Sequence, residues 1–188
     1  MPSKLILVFV LSITSVGCGY RFGHVDRRLP GGFHRVAIPM FTNSSMEVNV
    51  ENQFTNALRL EFERSKIAQI VPAKDAQAVI YGKIDSLEVE IDPNSRVQEL
   101  AYSPTHTVLS TQYRVRMTIS LVLKQKDNGK VFWSGKVTNE KVYSAAQVTL
   151  AGLNSANPLY NQSAKIENIA ALARDMMAEG HDRITENF

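Results

Sequence analysis

The chain has 188 residues, 44% hydrophobic and 21% charged, which is enough apolar material for a packed core and leaves no tract biased toward disorder. Its 21 basic and 18 acidic side chains give a formal charge of +3, without the clustered basic stripe that nucleic-acid binding requires.

The N-terminus carries Lys4, then an apolar run over residues 5–13, then small residues up to Cys18, the only cysteine in the sequence. The run is about half the ~20 apolar residues needed to span a bilayer. A basic start, a short apolar stretch and a small-residue zone are the parts of a secretory signal, so residues 1–17 are read as a signal peptide and 18–34 as a lead-in to one domain over 35–188. Val16, Gly17 and Cys18 resemble the lipobox of bacterial lipoproteins, in which the signal is cut before a diacylglycerol-modified cysteine; Ser15 departs from that pattern, where an aliphatic residue is usual. Several acyl chains are needed for a stable anchor, since each buried methylene adds only about 0.8 kcal/mol. The resemblance implies that Cys18 is the lipidation site, and Gly19, where an Asp would mark inner-membrane retention, favours the outer membrane. A secreted protein with a free thiol is the alternative.

Beyond Pro30-Gly31-Gly32, residues 35–41 read as a short strand that Pro39 pushes toward an edge. Ser44 and Glu47 have the spacing of a capping box. Val50, Phe54, Leu58 and Phe62 then form one apolar helical stripe. Residues 69–73 give a short strand and 75–91 a long one. Ile80, Gly82 and Ile84 share a face in that long strand, while Leu87, Val89 and Ile91 fall in the opposite phase, so a bulge is expected near Asp85-Ser86.

The clearest alternation follows. Tyr113, Val115, Met117, Ile119, Leu121 and Leu123 face one way; Arg114, Arg116, Thr118, Ser120, Val122 and Lys124 face the other. Asn128-Gly129 predicts a hairpin into a strand with Val131, Trp133 and Val137 in phase. Ile166, Ile169, Ala173, Met176 or Met177, Gly180 and Ile184 mark a closing helix. The economical packing is an α+β two-layer sandwich: two helices on one face of a mostly antiparallel four-stranded sheet.

No catalytic residues are identified. His24, His34, His106 and His181 lack metal-ligand spacing, there is no G-x-S-x-G elbow, and Glu88, Glu90 and Asp92 are accounted for by solvation; neither a metal nor another cofactor is expected. Arg114, Arg116 and Lys124 form a basic row opposite the core. It is either a solvated face that discourages edge pairing or a strip for phosphate groups, to which Arg offers bidentate donors. The segments 94–112 and 150–162, the latter with Leu153, Leu159 and Tyr160, are candidate partner contacts.

Several stretches together resemble the lipopolysaccharide-assembly lipoproteins, the LptE family: "CGYRF", "LPGG", "VAIPMFTN" running into "FTNALRLEF", "YRVRMTISLVL", "GKVFWSG" and "IENIAALARDMM". The resemblance implies a non-enzymatic lipoprotein anchored in the outer membrane through acylated Cys18. It would sit as plug and assembly partner within the LptD β-barrel and assist lipopolysaccharide delivery to the cell surface. In that setting the phosphates of lipid A become the ligand of Arg114, Arg116 and Lys124. A free-standing periplasm-facing adaptor or ligand carrier is the alternative.

Overall fold

The computed structural model describes residues 27–92, 110–146 and 158–186. The elements run β1 (Arg35–Ala37), β2 (Thr42–Asn43), α1 (Val50–Ser65), β3 (Gln69–Ile70), β4 (Ala78–Ile91), β5 (Ser110–Gln125), β6 (Val131–Ala146) and α2 (Pro158–Thr185). The signal, the lipobox and Cys18 lie outside the described residues, as do most of the two candidate contact segments.

The α+β class with two helices on one face holds, but the sheet differs from the expected four antiparallel strands. It has six strands in the order β3-β1-β4-β5-β6, with β2 also pairing β4. β4, β5 and β6 are antiparallel, whereas β1 lies parallel to both β3 and β4, and β2 parallel to β4. The reason is connectivity: α1 lies between β1 and β3, and a helical crossover returns the chain in the same direction. Pro39 splits what reads as one strand into β1 and β2, because it offers no N–H to a ladder.

The predicted phase change is present. The β4–β5 register shifts between Ile84 and Ser86, so Asp85 is the extra residue, and Leu87 then pairs with Met117 on the core face. A second shift at Leu123/Lys124 was not expected. It leaves Phe132 unpaired and puts Val131 opposite Lys124 on the solvent side, half exposed, so Val131 is out of phase with Trp133 and Val137.

Val50, Phe54, Leu58 and Phe62 are all buried, as their spacing requires. The capping box is not formed. Asn43 takes over the turn instead: its Oδ1 accepts from the Ser45 N–H at 2.8 Å and its Nδ2 donates to the Glu47 carbonyl at 2.6 Å. The helix starts only after Asn49, whose φ of 67° is a left-handed conformation that asparagine tolerates. Glu47 pairs instead with Lys165 of α2. In α2, Ile169, Leu172, Ala173, Met176, Met177, Gly180 and Ile184 are buried, while Ile166 is exposed.

Lys165 with Glu47 at one end and His181 with Ser65 at the other show that the two helices run parallel. His181 is 3% exposed, its Nε2 lies 2.8 Å from the Ser65 hydroxyl, and its ring meets Phe62 edge-on. Burial pulls its pKa below the ordinary 6.5, partly offset by Asp182 and Glu61 and reinforced by Arg27. The unfolded chain therefore binds the proton more readily. The stability contributed by neutral His181 is fully present above about pH 6.5 and declines as pH falls toward the lower folded value. Thermal midpoints should drop between pH 7.5 and 5.0, and by less in His181→Gln; an equal drop in both proteins would remove His181 as the cause.

Candidate functional site

The helices leave the other face of β4–β5–β6 open, and register determines which side chains meet there. Glu88, Arg116 and Glu140 form one row across the strands, and Glu90, Arg114 and Val142 the next. Ser86, Thr118 and Thr138 follow, the two threonine hydroxyls 3.1 Å apart. Then come Lys83, Ser120 and Lys136 around the bulged Asp85. The Ser120 hydroxyl donates to Asp85, and this bond, with Lys83 and Lys136 nearby, holds the carboxyl below the usual aspartate range.

The basic row predicted on this face is there, but its members differ in their surroundings. Arg114 Nη2 donates to Asp92 at 2.7 Å, and its Nη1 lies 3.2 Å from Glu140. Asp92, expected in solvent, is only 5% exposed. Arg116 pairs with Glu140 at 2.9 Å, and that hydrogen bond, with Glu90 and Glu88 beyond, holds its guanidinium more firmly protonated than usual. Lys124 stands apart. Ten residues separate it from Arg114 along β5, about 33 Å at strand rise. Its Nζ lies 5.6 Å from the centre of the Tyr81 ring, and it makes no ion pair among the described residues.

Near Lys124 the sheet has a feature that periodicity did not reveal. Ala37, Val71, Ala76 and Val79 form a small apolar cluster on this face, separate from the main core. Beside it a notch of about 460 Å³ opens between the short strands and β4, lined among others by Ala37, Pro39, Arg59, Val71, Val79 and Tyr81. Arg59 reaches it from α1, donating Nε and Nη2 to the Ile38 carbonyl that β1 leaves without a ladder partner. The signal available in the sequence was Pro39: a proline inside an apolar run breaks an edge strand and opens the space beside it.

Among the described residues no group of three His, Cys, Asp or Glu side chains is placed to hold a metal ion. No described helix is long and apolar enough to cross a membrane.

Comparison with known proteins adds the following. The family model described as LptE, lipopolysaccharide-assembly, matches residues 33–187. No curated protein matches the chain. Among solved structures, a neuraminyllactose-binding hemagglutinin homologue from Helicobacter pylori superposes with a TM-score of 0.52 at 12% identity, over 85% of this chain and 90% of that one. A Caulobacter crescentus protein described as a lipoprotein gives 0.48 at 12% identity, over 78% and 88%. The PelC dodecamer subunit of Paraburkholderia phytofirmans gives 0.46 at 12%, over 81% and 90%. At such identity the first likeness is one of fold alone.

Proposed function

Because the chain belongs to the LptE lipopolysaccharide-assembly family, we propose that it is an outer-membrane lipoprotein that plugs an LptD-type β-barrel and assists lipopolysaccharide on its way to the cell surface. The observation that carries this reading is the extent of the family match, which runs through β1 to α2 without interruption. The chain acts by binding and positioning and makes or breaks no bond.

The character of the open face supports the plug. The lumen of a large outer-membrane barrel is polar and wet. A domain held inside it needs a surface that is polar yet close to electrically balanced. The rows of Glu88, Arg116 and Glu140, and of Ser86, Thr118 and Thr138, have that composition. β5 and β6, at 16 residues each, are about 53 Å long, roughly twice the ~25 Å apolar band of such barrels. In this reading part of the domain projects beyond the membrane on the periplasmic side, where acylated Cys18 anchors it.

Arg114, Arg116 and Lys124 are the proposed contacts for lipopolysaccharide phosphates, with unequal shares. An anionic group reaches the two arginines only by competing with Asp92 and Glu140, whereas Lys124 has no such competitor among the described residues.

Solubilising outer membrane in mild detergent and purifying the chain through a C-terminal tag tests the reading. A large β-barrel protein should co-purify in a near-equal amount, and the intact mass should correspond to a chain starting at a diacylglyceryl-modified Cys18. Recovery of the lipoprotein alone would favour the free-standing carrier. An unmodified thiol, or a different N-terminus, would defeat the anchor.

A further inference from the structure

β4 has 14 residues, but only its first half is bordered by strands on the side away from β5. β1 pairs with Ala78 and Val79 there, and β2 with Lys83 and Ile84. The last bond on that side runs from the Ser44 N–H to the Ile84 carbonyl at 3.0 Å, after which the Asn43 turn leads the chain off toward α1. From Ser86 to Ile91, β4 pairs with β5 alone, so its other side is a sheet edge among the described residues.

Register fixes which backbone groups this edge offers. The Asp92 N–H donates to the Gln112 carbonyl at 2.8 Å, which makes Asp92 and Gln112 a hydrogen-bonded pair of the antiparallel ladder. Bonded and non-bonded pairs alternate. Glu90 and Glu88 therefore bond to Arg114 and Arg116 through their backbones, while Leu87 and Val89 direct their N–H and C=O groups away from β5. Outward ladder groups in a row are a template for another strand.

The side chains give the edge two unlike faces. On the core side Val89 is 37% exposed, and Met46 and Val48, just past the turn where β2 leaves β4, are 98% and 87% exposed. On the open side Glu88 and Glu90 are exposed and form no ion pair among the described residues. The arginines opposite them are engaged elsewhere, Arg114 with Asp92 and Glu140, and Arg116 with Glu140. A strand that fits sets apolar side chains beside Leu87 and Val89 and basic ones beside Glu88 and Glu90. A second copy of this chain is a poor fit. Antiparallel pairing about Val89 would set Glu88 of each copy against Glu90 of the other.

The geometry points to a strand-addition site: residues 86–91 of β4 take an extended segment of a partner protein in which Lys or Arg alternates with apolar residues. Main-chain bonds to Leu87 and Val89 supply affinity, and the alternation supplies specificity. Nothing in this site depends on the proposed function, and its test needs no barrel.

A seven-residue peptide of alternating Lys and Val, blocked at both ends, is added to the full-length chain in neutral detergent. Fluorescence anisotropy measures affinity, and residue-resolved hydrogen exchange measures protection. The amides of Leu87 and Val89 should exchange at least about tenfold more slowly with the peptide bound. A Glu-Val peptide of the same length should bind at least about tenfold more weakly. Glu88→Lys combined with Glu90→Lys should reverse that preference. Val89→Pro should abolish binding of either peptide, since it removes an outward N–H and leaves the bonds to β5 in place.

Thermal midpoints show which variants fold, and the charge reversal keeps the site testable if the proline variant does not. Absence of binding overturns the site, as does binding that leaves the two amides unchanged or persists in folded Val89→Pro. Equal affinity for the two peptides also overturns it. So does protection of both amides in the chain alone, which would mean that a second copy or another segment of the same chain occupies the edge; sedimentation tells those two apart.

Discussion

Replacing Gly82 with alanine is expected to destabilise the domain by about 3 kcal/mol, the upper part of the usual range for overpacking a core, although it adds one methyl group. A Cβ at Gly82 would lie 2.3 Å from ring atoms of Phe41, which is itself only 3% exposed. The ring lies flat over the glycine in the neighbouring strand and has no room to retreat. Phe41 sits just before β2, where the chain rejoins the β4 ladder after the Pro39 break, so displacing it loosens the whole short-strand edge. Phe41→Ala alone should cost about 3–5 kcal/mol, as other large-to-small core changes do. Placing Gly82→Ala on top of Phe41→Ala should then cost almost nothing, since the obstacle is gone. Urea denaturation of the four proteins measures the coupling. Equal costs for Gly82→Ala in both backgrounds would show that the ring is not what constrains the glycine.

Arg114→Leu should lower stability by about 2 kcal/mol, whereas Arg116→Leu should leave the urea midpoint close to that of the parent. Removing one member of a buried ion pair costs about 3–5 kcal/mol, and partial exposure reduces that figure. The Arg114 and Asp92 side chains are 18% and 6% exposed, and their contact ties the end of β4 to β5. Arg116 and Glu140 are both nearly half exposed, so solvent screens their pairing and replaces it when it is lost. If the two substitutions proved equally costly, burial would not be what distinguishes them. The difference matters for testing the proposed lipopolysaccharide contacts: a loss measured in Arg114→Glu would mix electrostatics with a weakened sheet, while one measured in Lys124→Glu would not.

What the sequence disclosed followed from periodicity. A stripe at helical spacing named the buried apolar residues Val50, Phe54, Leu58 and Phe62 of α1 but not the buried Thr55, and the reversal of alternation in β4 located its bulge at Asp85. Strict alternation in β5 assigned each side chain to the correct face. Periodicity reports which face a residue occupies, but not which residue lies opposite it. The carboxylates that engage Arg114 and Arg116 belong to Asp92 and Glu140, 22 and 24 residues away from them, and only register brings them together. The direction of β1 was hidden for the same reason, since pairings of two residues carry too little pattern to show orientation. The capping box failed because Asn43 offered the backbone a competing turn. The notch arises where a pattern stops, at Pro39, and interrupted patterns are read as loops.

The mixed topology also bears on the order in which the domain assembles and comes apart. β5 and β6 are joined by the tight turn at Gly129, and β4 pairs β5 along a long ladder interrupted only by the Asp85 bulge, so this meander can form from its own register before the rest docks. β1 and β3 have only two-residue pairings, and these become favourable once α1 has packed. The edge bordering the notch is thus the last part to close and the first to open, and its amides should exchange with solvent well before those of the meander. An edge that breathes beside a rigid meander can rearrange without unfolding the sheet that carries it.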